Sequence, residues 1–185
     1  MKYELLPPTD PRVLSSIAPF DIEHFKKEEK IELKEFTNNM FETMKSYGGI
    51  GLSANQVGKP YRMFIMGDHS QIHKGKKWVC INPEIKEISK QTIRMKEGCL
   101  TFPFLFLDIE RPSAVKVKYL DEDLKEQEDE MIGIVARCFL HEYDHMQGIV
   151  FTEKVSKFKL DFALNKRNKQ IKKAQKLWQM QSVKN

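Results

Sequence analysis

His141-Glu142-Tyr143-Asp144-His145 is the stretch from which the rest of this chain can be read. On a helix, His141 and His145 stand four residues apart and project from one face, where two imidazoles can hold one divalent cation. Glu142 lies beside them, close enough to exchange a proton with a water on that cation. The flanking residues say where such a helix must sit. Ile134, Cys138, His141 and His145 form one stripe, and Val135, Phe139, Glu142 and Met146 form the next. Apart from the site residues themselves, these stripes are apolar over more than half the circumference. That places the helix at the centre of a domain. It begins near Gly133, and Gly148 ends it.

Upstream, Pro7, Pro8, Pro11 and Pro19 break regular structure, so residues 1–23 are expected as an extended arm over the domain. From His24 to Tyr47, Leu33, Phe36, Met40, Met44 and Tyr47 recur at spacings of three and four, which predicts one helix stopped by Gly48 and Gly49. Residues 61–68, 78–89 and 91–100 read as strands, with a polar loop over 68–77 and an apolar loop at 102–107 (FPFLFL). Residues 114–121 alternate apolar and polar and predict a hairpin with the acidic stretch 125–132. Strands clustered between helices predict an α+β fold. In it, antiparallel sheets pack around a central HExxH helix, between an N-terminal helix and a C-terminal basic helix. Residues 1–153 are expected to form the catalytic domain and 154–185 a basic helical extension of it.

Composition limits the classes available. The chain has 185 residues, 41% hydrophobic and 31% charged, enough to bury a core without disulfides. No apolar run reaches the length of a membrane helix. The opening MKYELLPPTDP has acids and prolines in place of a signal peptide's apolar centre, so a cytosolic protein is expected. Three widely spaced cysteines, Cys80, Cys99 and Cys138, argue against a disulfide framework. The net charge of +5 gathers in the tail, at Lys166, Arg167, Lys169, Lys172, Lys173 and Lys176. A solvated helix face accounts for such a run, and so does a polyanionic partner.

A catalytic site of the HExxH type needs a third protein ligand and an open position. Two sources compete. Downstream, as in zinc peptidases, the first acids are Glu153, close to the helix end, and Asp161; neither is well placed. Upstream, Cys99 sits in EGCLTFP, where Gly98 permits close backbone approach and Pro103 marks a loop. Cys80 lies within an apolar strand and reads as core, and Cys138, three residues before His141, reads as a buried pocket wall. GGIGLSANQVG, residues 48–58, reads as a tight loop able to press backbone against a ligand, with Gln56 as an amide donor. A helix C-cap followed by a turn accounts for it equally well.

Taken together, three stretches resemble the peptide deformylases, whose signatures run G-x-G-Φ-A-A-x-Q, E-G-C-Φ-S and H-E-x-D-H, with Φ apolar. This chain has Gly49-Ile50-Gly51-Leu52-Ser53-Ala54-Asn55-Gln56, then Glu97-Gly98-Cys99-Leu100-Thr101, then His141-Glu142-Tyr143-Asp144-His145. The resemblance runs from about Asp10 to Phe151. The chain departs from the pattern at Ser53 (usually Ala), Thr101 (usually Ser) and Leu140 (often Gln). The stretch 102–107 also lacks an Arg found in many bacterial members.

The resemblance implies hydrolysis of the formyl group from the N-terminal formyl-methionine of new polypeptides. Cys99, His141 and His145 would hold the metal, Fe2+ in cells, although Zn2+, Ni2+ and Co2+ suit the same donors. Glu142 would be the general base, and the Leu100 N–H and Gln56 amide would face the oxyanion. Ile50, Gly51 and Gly98 would bracket the peptide, with Ile50, Leu100 and Cys138 lining a methionine slot. Asp144 projects away from the histidine face, and a pairing with Arg111 or Arg137 competes evenly with a simple exposed or capping role. The implied partners are nascent formyl-methionyl chains and, through the basic tail, the ribosome near its exit; no membrane and no specific DNA are expected. The competing readings are a general HExxH zinc peptidase, which would not need Cys99, and a non-catalytic ribosome- or RNA-binding relative, which would not need Glu142.

Overall fold

Met63, Phe64, Ile65 and Met66 are all fully buried, and they point alternately into two cores. A strand buried on both faces must be covered on both, and that requirement organises the computed structural model, which describes residues 2–182. β2 (Met63–His69) lies in a five-stranded antiparallel sheet ordered β1 (Gly51–Ser53), β2, β3 (His73–Ile88), β6 (Ala114–Leu120) and β7 (Glu126–Ile132). α1 (Ile22–Glu29) and α2 (Leu33–Ser46) cover Met63, Ile65, Val79 and Ile81 on one face. α3 (Gly133–Met146), which carries His141 to His145, covers Phe64, Met66, Cys80 and Val117 on the other. Phe139 of α3 meets Phe64 edge to face, with centroids 5.2 Å apart. A separate hairpin of β4 (Thr92–Cys99) and β5 (Phe102–Pro112) reaches across to α3. The fold is the expected α+β arrangement around the HExxH helix.

Three local expectations are corrected. The helix drawn over 24–47 is two helices. Asp21 accepts from the N–H groups of Glu23 and His24, which starts α1 earlier, and Lys30 turns left-handed at φ 54°. The break lets Phe25 and Phe36 both pack edge-on against Tyr61, 5.2 and 5.7 Å away. The polar loop 68–77 is mostly strand, because β2 and β3 continue outward to pair His69 with His73. The apolar loop 102–107 belongs to β5, whose Leu105, Leu107 and Ile109 alternate inward while Phe104 and Phe106 face out.

The N-terminal arm does lie over the domain. Leu6 N–H donates to Gln56 O at 2.8 Å, and Ile17 N–H donates to Met146 O at 3.1 Å. At the far end, α4 (Lys157–Ser182) packs its first turns on β5 and Phe151 through Leu160, Ala163 and Leu164. Among the described residues no helix is long and apolar enough to cross a membrane.

Candidate metal centre

α3 presents His141 and His145 one turn apart, with ring centroids 5.2 Å from each other. β4 ends at Cys99 directly opposite. Its Sγ lies 3.4 Å from His145 Nε2, and one donor atom from each of Cys99, His141 and His145 falls within 4.8 Å of the other two. All three residues are buried. Neither Glu153 nor Asp161 joins them among the described residues.

The donor chemistry fits a divalent cation. His141 Nδ1 is engaged by Glu97 Oε2 at 3.1 Å, which fixes the ring and leaves Nε2 for an ion. Burial works against charge on His141, yet Cys99 and Glu97 outweigh it and hold its pKa up at about 10, so this corner attracts positive charge. Burial drives His145 well below its ordinary value, which keeps that imidazole neutral, as a ligand must be. Glu142 stands beside the histidines, and burial pushes its carboxyl up to about 7 against the pull of His141 and Arg111. Its Oε2, like His145 Nδ1, is buried without a protein partner.

A cleft of about 590 Å³ opens onto this corner. Ile50, Gly51, Gln56, Gly98, Leu100 and Cys138 line it together with Cys99, His141 and Glu142, while His145 sits deeper, 1% exposed. The residues expected to bind the metal, the oxyanion and the peptide are therefore in or directly behind one cleft. Gly51 is glycine for lack of room: a Cβ there would stand 2.5 Å from Glu142 Oε1 and 2.8 Å from Cys138 Sγ. Gln56 is held at both ends. Its Oε1 accepts from Ser53 N–H at 2.9 Å, and its Nε2 donates to Thr101 Oγ1 at 3.0 Å and lies 3.4 Å from Cys99 Sγ. Cys80 is fully buried in the sheet core.

Glu97 carries a role that its place in the sequence motif did not reveal. Arg111 forks onto it, with Nε to Oε1 at 2.6 Å and Nη2 to Oε2 at 3.0 Å, and Arg137 Nη1 donates to Oε1 at 2.6 Å. Arg111 also donates to Asp144 Oδ2 at 2.7 Å, so of the two expected partners Asp144 takes Arg111. Arg137 instead spans to the carbonyls of Ile109 and Ile93. Burial alone would raise the Glu97 pKa, but hydrogen bonds from His141 and Arg111 hold it far below the carboxylate range. A signal was available. Glu97 and Cys99 are two apart on one strand, so both face the same interior. An acid facing inward beside a ligand needs cations, and Arg111 is on the paired strand, where Ile93 is its register partner.

Glu97→Gln should keep the fold but loosen the ligand it orients. Metal affinity is expected to fall about 10–100-fold. Competition with a chromogenic chelator measures it, and unchanged affinity would mean that the His141 contact is incidental.

A strand cysteine and two helix histidines, converging beside a buried carboxylate in an α+β fold, define a mononuclear metallohydrolase. Residues 8–161 match the family model described as polypeptide deformylase. The chain belongs to the peptide deformylase family. A peptide deformylase from Wolbachia sp. subsp. Brugia malayi is 41% identical over 146 residues, spanning 75% of this chain and 82% of that one. The crystal structure of a peptide deformylase from Legionella pneumophila superposes with a TM-score of 0.80 at 31% identity, covering 95% of this chain and 98% of its own. One from Synechococcus elongatus in complex with actinonin gives 0.79 at 31%, covering 90% and 88%.

Proposed function

We propose that this chain removes the formyl group from the N-terminal formyl-methionine of new polypeptides, using Cys99, His141 and His145 as metal ligands and Glu142 as base. The observation that carries the reading is the convergence of three donor atoms within 4.8 Å, next to a buried carboxylate at the floor of an open cleft. When bound, the divalent cation lowers the pKa of water and polarises the formyl oxygen. One thiolate and two imidazoles suit Fe2+, Zn2+, Ni2+ or Co2+, and we take Fe2+ as the ion in cells.

The protein's own groups do the rest. Glu142 takes a proton from the water that attacks the formyl carbon and delivers it to the amine nitrogen as the C–N bond breaks. The products are formate and a free α-amine. Gln56 Nε2 carries two hydrogens; Thr101 Oγ1 takes one and Cys99 Sγ the other, so the amide stands beside the sulfur and would turn its second N–H to the oxyanion as it develops. The Leu100 N–H, in the turn after β4, is its companion donor. Among the described residues β1 pairs only with β2, and β4 only with β5, so each has an edge without a strand partner. A peptide laid between Ile50–Gly51 and Gly98 would add as a strand, its methionine side chain against Ile50, Leu100 and Cys138. Formate release from formyl-Met-Ala-Ser, with metal content measured on the same sample, tests this reading; metal-loaded protein that releases none would refute it.

The same reading places the enzyme where formylated chains are made: a bacterial or phage-infected cytoplasm, or an organelle. Residues 1–153 then form the catalytic unit and 154–185 its extension, with residues 1 and 183–185 lying outside the described residues. Lys169, Lys172, Lys173 and Lys176 are all exposed along the outer half of α4, which suits ribosomal phosphate. Co-sedimentation with ribosomes that weakens steeply with salt supports that docking; none at low salt refutes it.

A further inference from the structure

A second cleft, of about 560 Å³, runs between the β4–β5 hairpin and the first turns of α4. It adjoins the active-site cleft: Lys96, Phe104 and Phe106 line both. Phe104 sits at the junction for a structural reason. Gly98 pairs with Phe106, but Cys99 pairs with Phe102, so Pro103 to Leu105 bulge out of the hairpin. Phe104 takes φ 64° in that bulge and stays 68% exposed. A bulky side chain held left-handed and facing water is costly in two ways and contributes nothing to the core.

The far wall has the same character. Phe158 and Phe162 are 80% and 68% exposed on α4. Between them and the hairpin stand Lys96, Lys159, Lys166 and Arg167, none with an ion-pair partner among the described residues. Arg167 Nε is buried with no hydrogen-bond partner among the described residues. Asp108 is the one acid on the lining. Arg94 on the lining is paired with Glu110, and Asp108 stands opposite Lys96 in the hairpin register, so the cleft is aromatic with its unpaired cations, Lys159, Lys166 and Arg167, on the α4 side.

We propose that this second cleft binds the downstream part of the substrate polypeptide, several residues after the formyl-methionine, and favours acidic and aromatic segments there. The proposal rests on the deformylase reading of the first cleft. Its occupant follows from adjacency: a chain whose first residue is at the metal centre and whose next residues cross Lys96, Phe104 and Phe106 enters this groove. Unpaired cations then select acidic side chains, and the exposed phenylalanines provide apolar and edge-on contact.

The test uses the full chain, metal-loaded, and two formyl-methionyl decapeptides. Both begin formyl-Met-Ala-Ser; one continues with Glu, Asp and Phe, the other with Lys and Phe. kcat/KM is expected to be about 5-fold higher for the acidic peptide at low salt, mostly through KM, and the gap should close near 0.5 M salt. In the double variant Lys166→Glu, Arg167→Glu the order should reverse, with the tripeptide formyl-Met-Ala-Ser turned over as in the parent. Equal kcat/KM for the two decapeptides overturns the proposal, as does a preference that survives charge reversal. Binding of a short single-stranded RNA that is lost in the double variant, without peptide discrimination, overturns it in favour of RNA. Tripeptide turnover reports separately on the deformylase reading; its absence from the parent protein removes both.

Discussion

Replacing Cys99 with serine is expected to give a folded protein that retains no stoichiometric metal and releases no formate. Serine keeps the shape of the β4 terminus, and Cys99 packs in a small satellite core with Leu105, Leu107, Ile109 and Phe151, so folding should survive the loss of one sulfur. What changes is the donor. A serine hydroxyl stays protonated and reaches less far than a thiolate, which leaves His141 and His145 as the only strong ligands. Loss of the hydrogen-bonding partner behind a ligand typically costs about 10–100-fold in affinity, so loss of the ligand itself should exceed about 100-fold. Metal analysis after gel filtration, read beside the circular dichroism spectrum, measures this. A general HExxH peptidase would draw its third ligand from downstream and would keep its metal in this variant. Stoichiometric metal in Cys99→Ser would therefore count against the deformylase assignment of the ligand.

Much of this site was legible in the sequence because it depends on short periods. A spacing of four on a helix put His141 beside His145, and the apolar stripes around them put the helix at the centre of the domain. Alternation found β6, and the hairpin drawn from it to the acidic stretch found β7, each to within a residue. The readings that failed did so where tertiary packing overrode the local pattern. The helix period runs through residues 24–47, but the chain breaks at Lys30 so that Phe25, Phe36 and Tyr61 can share one cluster. FPFLFL looked like a loop because nearly every position is apolar. Its outward phenylalanines, Phe104 and Phe106, border two clefts that no local pattern shows. The carboxylate hub at Glu97 joins β4, β5 and α3, and pairing between strands and a distant helix is the information that a single sequence carries least directly.

Glu142→Ala is expected to lower kcat for formyl-Met-Ala-Ser by about 10²–10⁴-fold, with the metal retained and KM little changed. The two glutamates of the site make the argument by contrast. Glu97 is held by two arginines and a histidine, so its charge is fixed and its carboxylate orients. Glu142 is buried to a similar depth, yet its Oε2 has no protein partner, and burial lifts its pKa to about 7. A carboxylate desolvated and left unsatisfied lowers stability, so nothing in the packing of α3 explains its presence. Near neutrality such a group both accepts and returns a proton readily, which is what amide hydrolysis asks of one residue. Removing it should therefore separate activity from stability. Thermal unfolding of Glu142→Ala is expected at or above the parent temperature, while formate release collapses. Glu142→Gln, which keeps the volume but not the proton acceptor, should be as inactive as alanine. A variant that unfolds earlier and keeps kcat within about tenfold would make Glu142 structural, and the proton would have to travel by another group.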